Sequence, residues 1–188
     1  MARVSVTPEQ FTMVLFEHDR IAEIAAAVAD KVGIPTDVEI RIDVDERTPL
    51  GRTTLTSLDP ITITAESGAF EDAKNLRHLS QRGVEDVIGR LLFRARDRLD
   101  PAFGDAPPEH ELSLQEQVAW DAYCMGRCER LGLAVQKARR QYHFRNRHGF
   151  TDVADAAFER LWNADSLTWA DIEKACTETA AERERATA

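Results

Sequence analysis

The sequence predicts an α+β protein, mostly helical, in which a small, mainly antiparallel sheet of about three strands is covered by helices. A helical C-terminal part follows and packs on this core. Three observations carry that expectation. Apolar residues recur at helical spacing near the N-terminus, over residues 79–99 and through most of the last third. Between the first two helices, Val38, Ile40, Ile42 and Val44 alternate with Glu39, Arg41 and Asp43, the pattern of a strand with one wet face. Hydrophobic residues make up 43% of the 188 and charged residues 30%, a composition that supports a buried core and argues against disorder.

Each element has its own punctuation. Thr7-Pro8-Glu9-Gln10 reads as an N-cap, a first-turn proline and a glutamine three residues after the cap. It opens a helix that includes Phe11, Val14, Leu15, Ile21, Ile24 and Val28 and ends at Gly33 and Pro35. The strand over residues 37–45 follows, then a turn at Thr48-Pro49-Leu50-Gly51. Two further strands, residues 53–57 and 61–65, flank Asp59-Pro60, and Glu66-Ser67-Gly68 ends the pairing. Residues 79–99 read as a helix with Val84, Val87, Ile88, Leu91, Leu92 and Ala95 inward. Pro101, Gly104, Pro107 and Pro108 mark a linker and hinge candidate, so the chain divides into an α+β core, residues 1–105, and a helical part, 106–188. In the latter, Ser113-Leu114-Gln115-Glu116 is a capping box opening a helix toward Phe144, in which Gly126 and Gly132 mark a kink or a close packing. Residues 151–162 and 168–179 complete the helices, and a polar tail starting at Ala180 is expected to fray.

Composition narrows the function classes. The longest apolar stretch, from Ile21 to Val32, is interrupted by Glu23, Asp30 and Lys31, so no membrane span is expected. The N-terminus lacks an apolar signal region, which with the three cysteines points to a cytoplasmic protein without a disulfide framework. Arginine dominates the basic residues, the lysines being Lys31, Lys74, Lys137 and Lys174, and with the many alanines this suggests a GC-rich, actinobacterial-like bacterial genome. The net charge of −9 argues against nonspecific coating of nucleic acid. No glycine-rich dinucleotide loop, phosphate-binding loop, nucleophile elbow, Cys-x-x-Cys or His-Glu-x-x-His is present, so no catalytic residue, cofactor or metal is assigned.

The order helix, alternating strand, turn, strands, helix over residues 7–99 resembles the compact core of zincin-type metalloproteases. Asp59-Pro60-Ile61-Thr62-Ile63 is similar to the proline-led strand before their active-site helix. In this chain that helix reads Gly83-Val84-Glu85-Asp86-Val87-Ile88-Gly89-Arg90, with no ligand pair one turn apart on one face. The resemblance therefore implies a degenerate, non-catalytic relative, a pseudo-metalloprotease.

Two surfaces stand out as candidate interaction sites. Glu66, Glu71 and Asp72 lie in a loop between a strand end and a helix, and with Asp59 and His78 suggest contact with a cation or a peptide amine; the alternative is a solvated turn with Phe70 plugged into the core. Lys137, Arg139, Arg140, Arg145 and Arg147 are interleaved with Tyr142, His143, Phe144 and His148. That combination suits phosphate and unpaired bases, or else a helix end whose cations pair with acids of the same chain. Cys124 and Cys128, four apart, are either half a zinc site completed by His143 or His148, or small core residues near Trp120 and Leu131. The reading these observations support is a non-enzymatic interaction or regulatory protein with a protein partner. The alternative is a binder of nucleic acid or a phosphorylated ligand through residues 137–148.

Overall fold

Val4 and Val6 alternate with Arg3, Ser5 and Thr7, and in the computed structural model, which describes residues 2–187, this short pattern forms the first strand, β1 (Arg3–Thr7). Helix α1 (His18–Val32) then leads to β2 (Glu39–Asp45), β3 (Thr53–Leu58), β4 (Ile61–Glu66) and α2 (Gln81–Leu99). The C-terminal helices are α3 (Leu114–Arg130), α4 (Lys137–His148), α5 (Asp152–Asn163) and α6 (Trp169–Thr187). The chain divides into two compact units, Met1–Arg96 and Asp97–Ala188, and the division falls inside α2. The fold is thus α+β and mostly helical.

The sheet departs from the expected three, mainly antiparallel strands. Its order is β1-β2-β4-β3, with β1 parallel to β2, β2 parallel to β4, and only β3 antiparallel to β4. Parallel neighbours need a crossover rather than a hairpin, and α1 supplies it between β1 and β2. The expected first helix was too long for the same reason. Thr7 ends a strand, and residues 8–17 are a loop held by Glu46, whose carboxylate accepts the backbone N–H of Thr12 at 2.8 Å and of Met13 at 2.7 Å. These bonds hold the Glu46 carboxyl below its ordinary range, led by the one from Met13. Val14 and Phe16 of this loop are buried, whereas Leu15, expected inward, is largely exposed.

One face of the sheet is apolar by alternation: Ile40, Ile42, Ile61 and Ile63 are fully buried. The inward stripes of α1 (Ile21, Ala25, Val28) and α2 (Val84, Ile88, Leu91, Leu92) are buried with them and form the core of the first unit. Arg96 donates to the Val32 carbonyl at 2.9 Å and Arg90 to the Thr53 hydroxyl at 2.6 Å, joining α2 to α1 and to β3.

In the second unit α3 touches α4, α5 and α6. Its expected capping box is present: the Ser113 hydroxyl accepts from the Glu116 N–H, and the Glu116 carboxylate accepts from the Ser113 N–H. The helix does not run on to Phe144. It ends at Arg130, and Gly132 just beyond has a φ of +71°, the left-handed conformation in which an L side chain is strained. Gly126 is a site of close packing, because a Cβ there would lie 1.9 Å from the carbonyl oxygen of Trp162 on α5. Helix α6 runs through Ala180 to Thr187 and does not stop at Thr179. The proline-rich stretch after α2 is held within this unit: Phe103 is buried, and Arg98 donates to the carbonyls of Ala106 and Pro107 and pairs with Glu109 at 2.9 Å.

The centre of the second unit is a buried carboxylate. Asp97 accepts two guanidinium bonds from Arg127, at 2.7 and 2.6 Å, and one from the Trp120 indole N–H at 2.7 Å. Burial opposes the Arg127 charge, but the adjacent Cys124 sulfur and Asp97 carboxylate outweigh it and raise its pKa above the ordinary guanidinium range. Trp120, Trp162 and Trp169 all lie in this unit, so tryptophan fluorescence reports its unfolding alone. Asp97→Ala leaves Arg127 buried without its carboxylate and is expected to lower stability by about 3–5 kcal/mol in urea denaturation followed by that signal. Gly126→Ala pushes α5 off α3, and in the same assay is expected to cost about 3 kcal/mol.

Candidate functional site

In the first unit the expected acidic site is not assembled as one cluster. Asp59 is exposed in the turn before β4, and Glu66 ends that strand, about 16 Å along the strand rise from its first residue, Ile61. The Glu66 carboxylate accepts the Arg52 N–H at 2.8 Å, closing the entry to β3. Asp72 accepts from the N–H groups of Lys74 and Asn75, a local turn, and Glu71 reaches the Arg77 N–H at 3.4 Å. Phe70 is fully buried beneath them. Glu71 and Asp72 therefore serve the backbone of their own loop, which is what turn acids commonly do, and Glu66 serves that of the neighbouring strand's entry.

A shallow concavity of about 560 Å³ lies on the wet face of the sheet, at the C-terminal ends of the parallel strands. Thr7, Asp43, Asp45, Thr54, Thr64 and Glu66 line it, with Arg52. The two aspartates in it are engaged: Asp43 accepts from the Thr7 hydroxyl, and Asp45 from the Thr48 hydroxyl at 2.7 Å and the Arg47 N–H at 3.0 Å. The Asp45 carboxyl is held below its ordinary range, mainly by the Thr48 bond.

In the second unit, helix α4 sorts the basic run by face. Lys137 pairs with Glu159 at 2.8 Å, Arg140 with Asp121 at 3.7 Å, and Arg145 makes two bonds to Asp155, at 2.6 and 2.7 Å. The Arg145 bond in turn keeps the Asp155 carboxyl below its ordinary range. These three cations are half-buried against acids on α3 and α5. Arg139 and Arg147 are exposed, and among the described residues neither side chain has an acidic partner.

The outward side of α4 collects the remaining groups. Arg139, Tyr142, His143, Asn146 and Arg147 recur at three- and four-residue intervals and are all exposed. Phe150, just past the helix, joins them with its ring centroid 6.2 Å from that of Tyr142. Tyr142 is 57% exposed and Phe150 65%, large values for rings of this size. Burial first, then the charges of Arg139, Arg140 and Arg147, push His143 below the ordinary imidazole value, against an opposing pull from Asp121. Phe150 and Asn146 were not read from the sequence as part of this surface.

Phe144 and His148, the other two rings of the run, face inward. Phe144 is fully buried and stacks on His148 with centroids 3.9 Å apart. His148 is fully buried, with Nε2 3.0 Å from the Gln115 carbonyl and Nδ1 2.7 Å from the Thr179 hydroxyl. The carbonyl only accepts, so Nε2 carries the proton in the neutral ring and the Thr179 hydroxyl donates to Nδ1. This histidine clasps α4 to α6 and to the first turn of α3. Cys124 and Cys128 are fully buried, and the Cys124 sulfur lies 3.5 Å from an Arg127 nitrogen. Among the described residues no three His, Cys, Asp or Glu side chains come together as a metal ligand set, and no helix is long and apolar enough to cross a membrane.

No protein-family model, curated protein or solved structure matches the chain.

Burial chiefly, with Arg183 adding to it, lowers the pKa of His148 against the opposing Gln115 bond. An imidazole released by unfolding regains its ordinary value of 6.5 and binds the extra proton. The stability it confers is complete above that pH and is lost as the pH falls through the lower folded value. Tryptophan-monitored denaturation between about pH 7 and pH 5 should show unit 2 weakening in the wild type. His148→Gln should flatten that slope, while His143→Gln, at an exposed position, keeps the larger part of it.

Proposed function

We propose that this chain is a non-enzymatic interaction protein that engages a protein partner through the outward face of α4. The observation that carries this reading is the pair of exposed rings, Tyr142 and Phe150, set beside Arg139 and Arg147, the two cations of the basic run that have no acidic partner among the described residues. Aromatic residues and arginine dominate the energetics of protein contacts, and an exposed cluster of them is otherwise a liability for a folded chain. The order α1, β2, β3, β4, α2 supports the further reading that the first unit is a zincin-like core kept as a scaffold. In that reading α2 carries no ligand pair, and the core has lost its chemistry.

Binding of nucleic acid or a phosphorylated ligand through the same helix is the second reading. It is weakened because Lys137, Arg140 and Arg145 are already neutralised by Glu159, Asp121 and Asp155. Two unpaired cations provide only a small counterion-release contribution to phosphate binding.

The test is a photo-crosslinking residue placed at position 142 of the full chain in its host cell, with position 173 on α6 as control. The expected result is a discrete protein adduct at 142, absent at 173, that disappears when Arg139→Glu/Arg147→Glu is added. Adducts equal at both positions, or unaffected by the charge reversal, would refute the assignment of this face.

A further inference from the structure

We infer that the partner element seated on α4 is an acidic amphipathic helix, carrying an apolar anchor between two carboxylates spaced about two turns apart. This rests on the assignment of the α4 face above and adds the chemistry of its occupant.

The spacing comes from the helix itself. Arg139 and Arg147 are eight residues apart on one side of α4, which at 1.5 Å per residue places them about 12 Å apart along its axis. Tyr142 and His143 lie between them, Asn146 adds a neutral amide, and Phe150 extends the ring surface beyond Arg147. The surface therefore reads, along the helix, as cation, rings, amide, cation, ring. Its complement is anion, apolar anchor, anion.

Charge complementarity disfavours a second copy meeting this face symmetrically. A two-fold axis through the middle of the face sets the helices antiparallel, so Arg139 of each copy meets Arg147 of the other. Like charges facing one another across an interface oppose association. An acidic partner does not meet this penalty, and among the described residues these arginines have no carboxylate of their own to give up.

The convex shape of the face selects a helix over an extended segment. A strand recognised by a protein gains its affinity from backbone hydrogen bonds to a sheet edge, and the outside of α4 offers no free backbone groups. An extended peptide would lay unpaired N–H and C=O groups against the Tyr142 and Phe150 rings. A helix satisfies its own backbone and presents side chains alone. Carboxylates at positions seven or eight apart on its surface match the 12 Å scale, about 10–12 Å by the same rise.

The experiment uses the full-length protein and a fluorescent, alanine-based helical peptide, with glutamates eight positions apart flanking leucine and phenylalanine on one face. Its comparators are the same peptide with lysines in place of the glutamates, and a short labelled single-stranded oligonucleotide. Anisotropy titrations should show saturable binding of the acidic peptide alone. Arg139→Glu/Arg147→Glu should weaken that binding at least about tenfold and transfer it to the lysine peptide. Both substituted residues are exposed, and an unchanged tryptophan spectrum verifies that the second unit remains folded. Failure of the acidic peptide to bind, or binding indifferent to the charge reversal, overturns the acidic-helix inference. If the oligonucleotide binds instead and loses affinity with the same variant, the acidic helix is likewise overturned. The crosslink at position 142 then separates the two ideas. Its presence without peptide binding leaves the α4 contact face standing, and its absence removes both.

Discussion

The buried carboxylate of Asp97 is the constraint on which the second unit is organised. A charge excluded from water is tolerated only when hydrogen-bonded and paired, and Asp97 has both a bidentate guanidinium and an indole N–H. Each of those partners is placed by a further contact. The Arg127 guanidinium lies 3.7 Å over the Tyr123 ring, and the Tyr123 hydroxyl accepts the Leu167 N–H just before α6. Trp120 stacks on Phe103 at 5.2 Å and packs against Trp169 at 5.4 Å. One polar knot thus orients α3, and with it the chain entering α6. Removing either charge leaves the other stranded, which is why a single substitution there reaches so many elements.

Helix α4 inherits its orientation from α3. Asp121 and the Gln115 carbonyl on α3 take Arg140 and His148, and Asp155 and Glu159 on α5 take Arg145 and Lys137. These contacts consume one side of α4, and among the described residues no acid pairs with Arg139 or Arg147 on the other. The outward set of rings and arginines is therefore a consequence of which cations the neighbouring helices could reach. In the first unit, Glu66, Glu71 and Asp72, which drew attention in the sequence, are spent on backbone N–H groups. Glu46, which stood out less, organises the loop between β1 and α1 through backbone N–H groups that no secondary structure claims.

Much of the sheet and most helix ends were legible because they are local. Period-two alternation in Glu39–Asp45 and Ile61–Glu66 specifies strands, and Ser113 with Glu116 specifies a helix start, whatever surrounds them. Strand β1 was hidden because two valines make a weak pattern, and Thr7-Pro8 mimics a helix cap. Its role depends on lying beside β2, with Val6 opposite Ile42, a pairing across α1 that local spacing does not reveal. The parallel direction of β1, β2 and β4 follows from the same nonlocal contacts.

The candidate surface divides in the same way. The sequence alone determined that residues 137–148 are basic and ring-rich, and that the chain as a whole is acidic. Only the tertiary structure decided that Phe144 and His148 turn inward, that Lys137, Arg140 and Arg145 are neutralised, and that Tyr142 and Phe150 meet outside. The physical reason is that charge composition is a property of the chain, whereas pairing and exposure are properties of facing helices. A helix has one sequence but two sides, and α3, α5 and α6 chose which of them to cover.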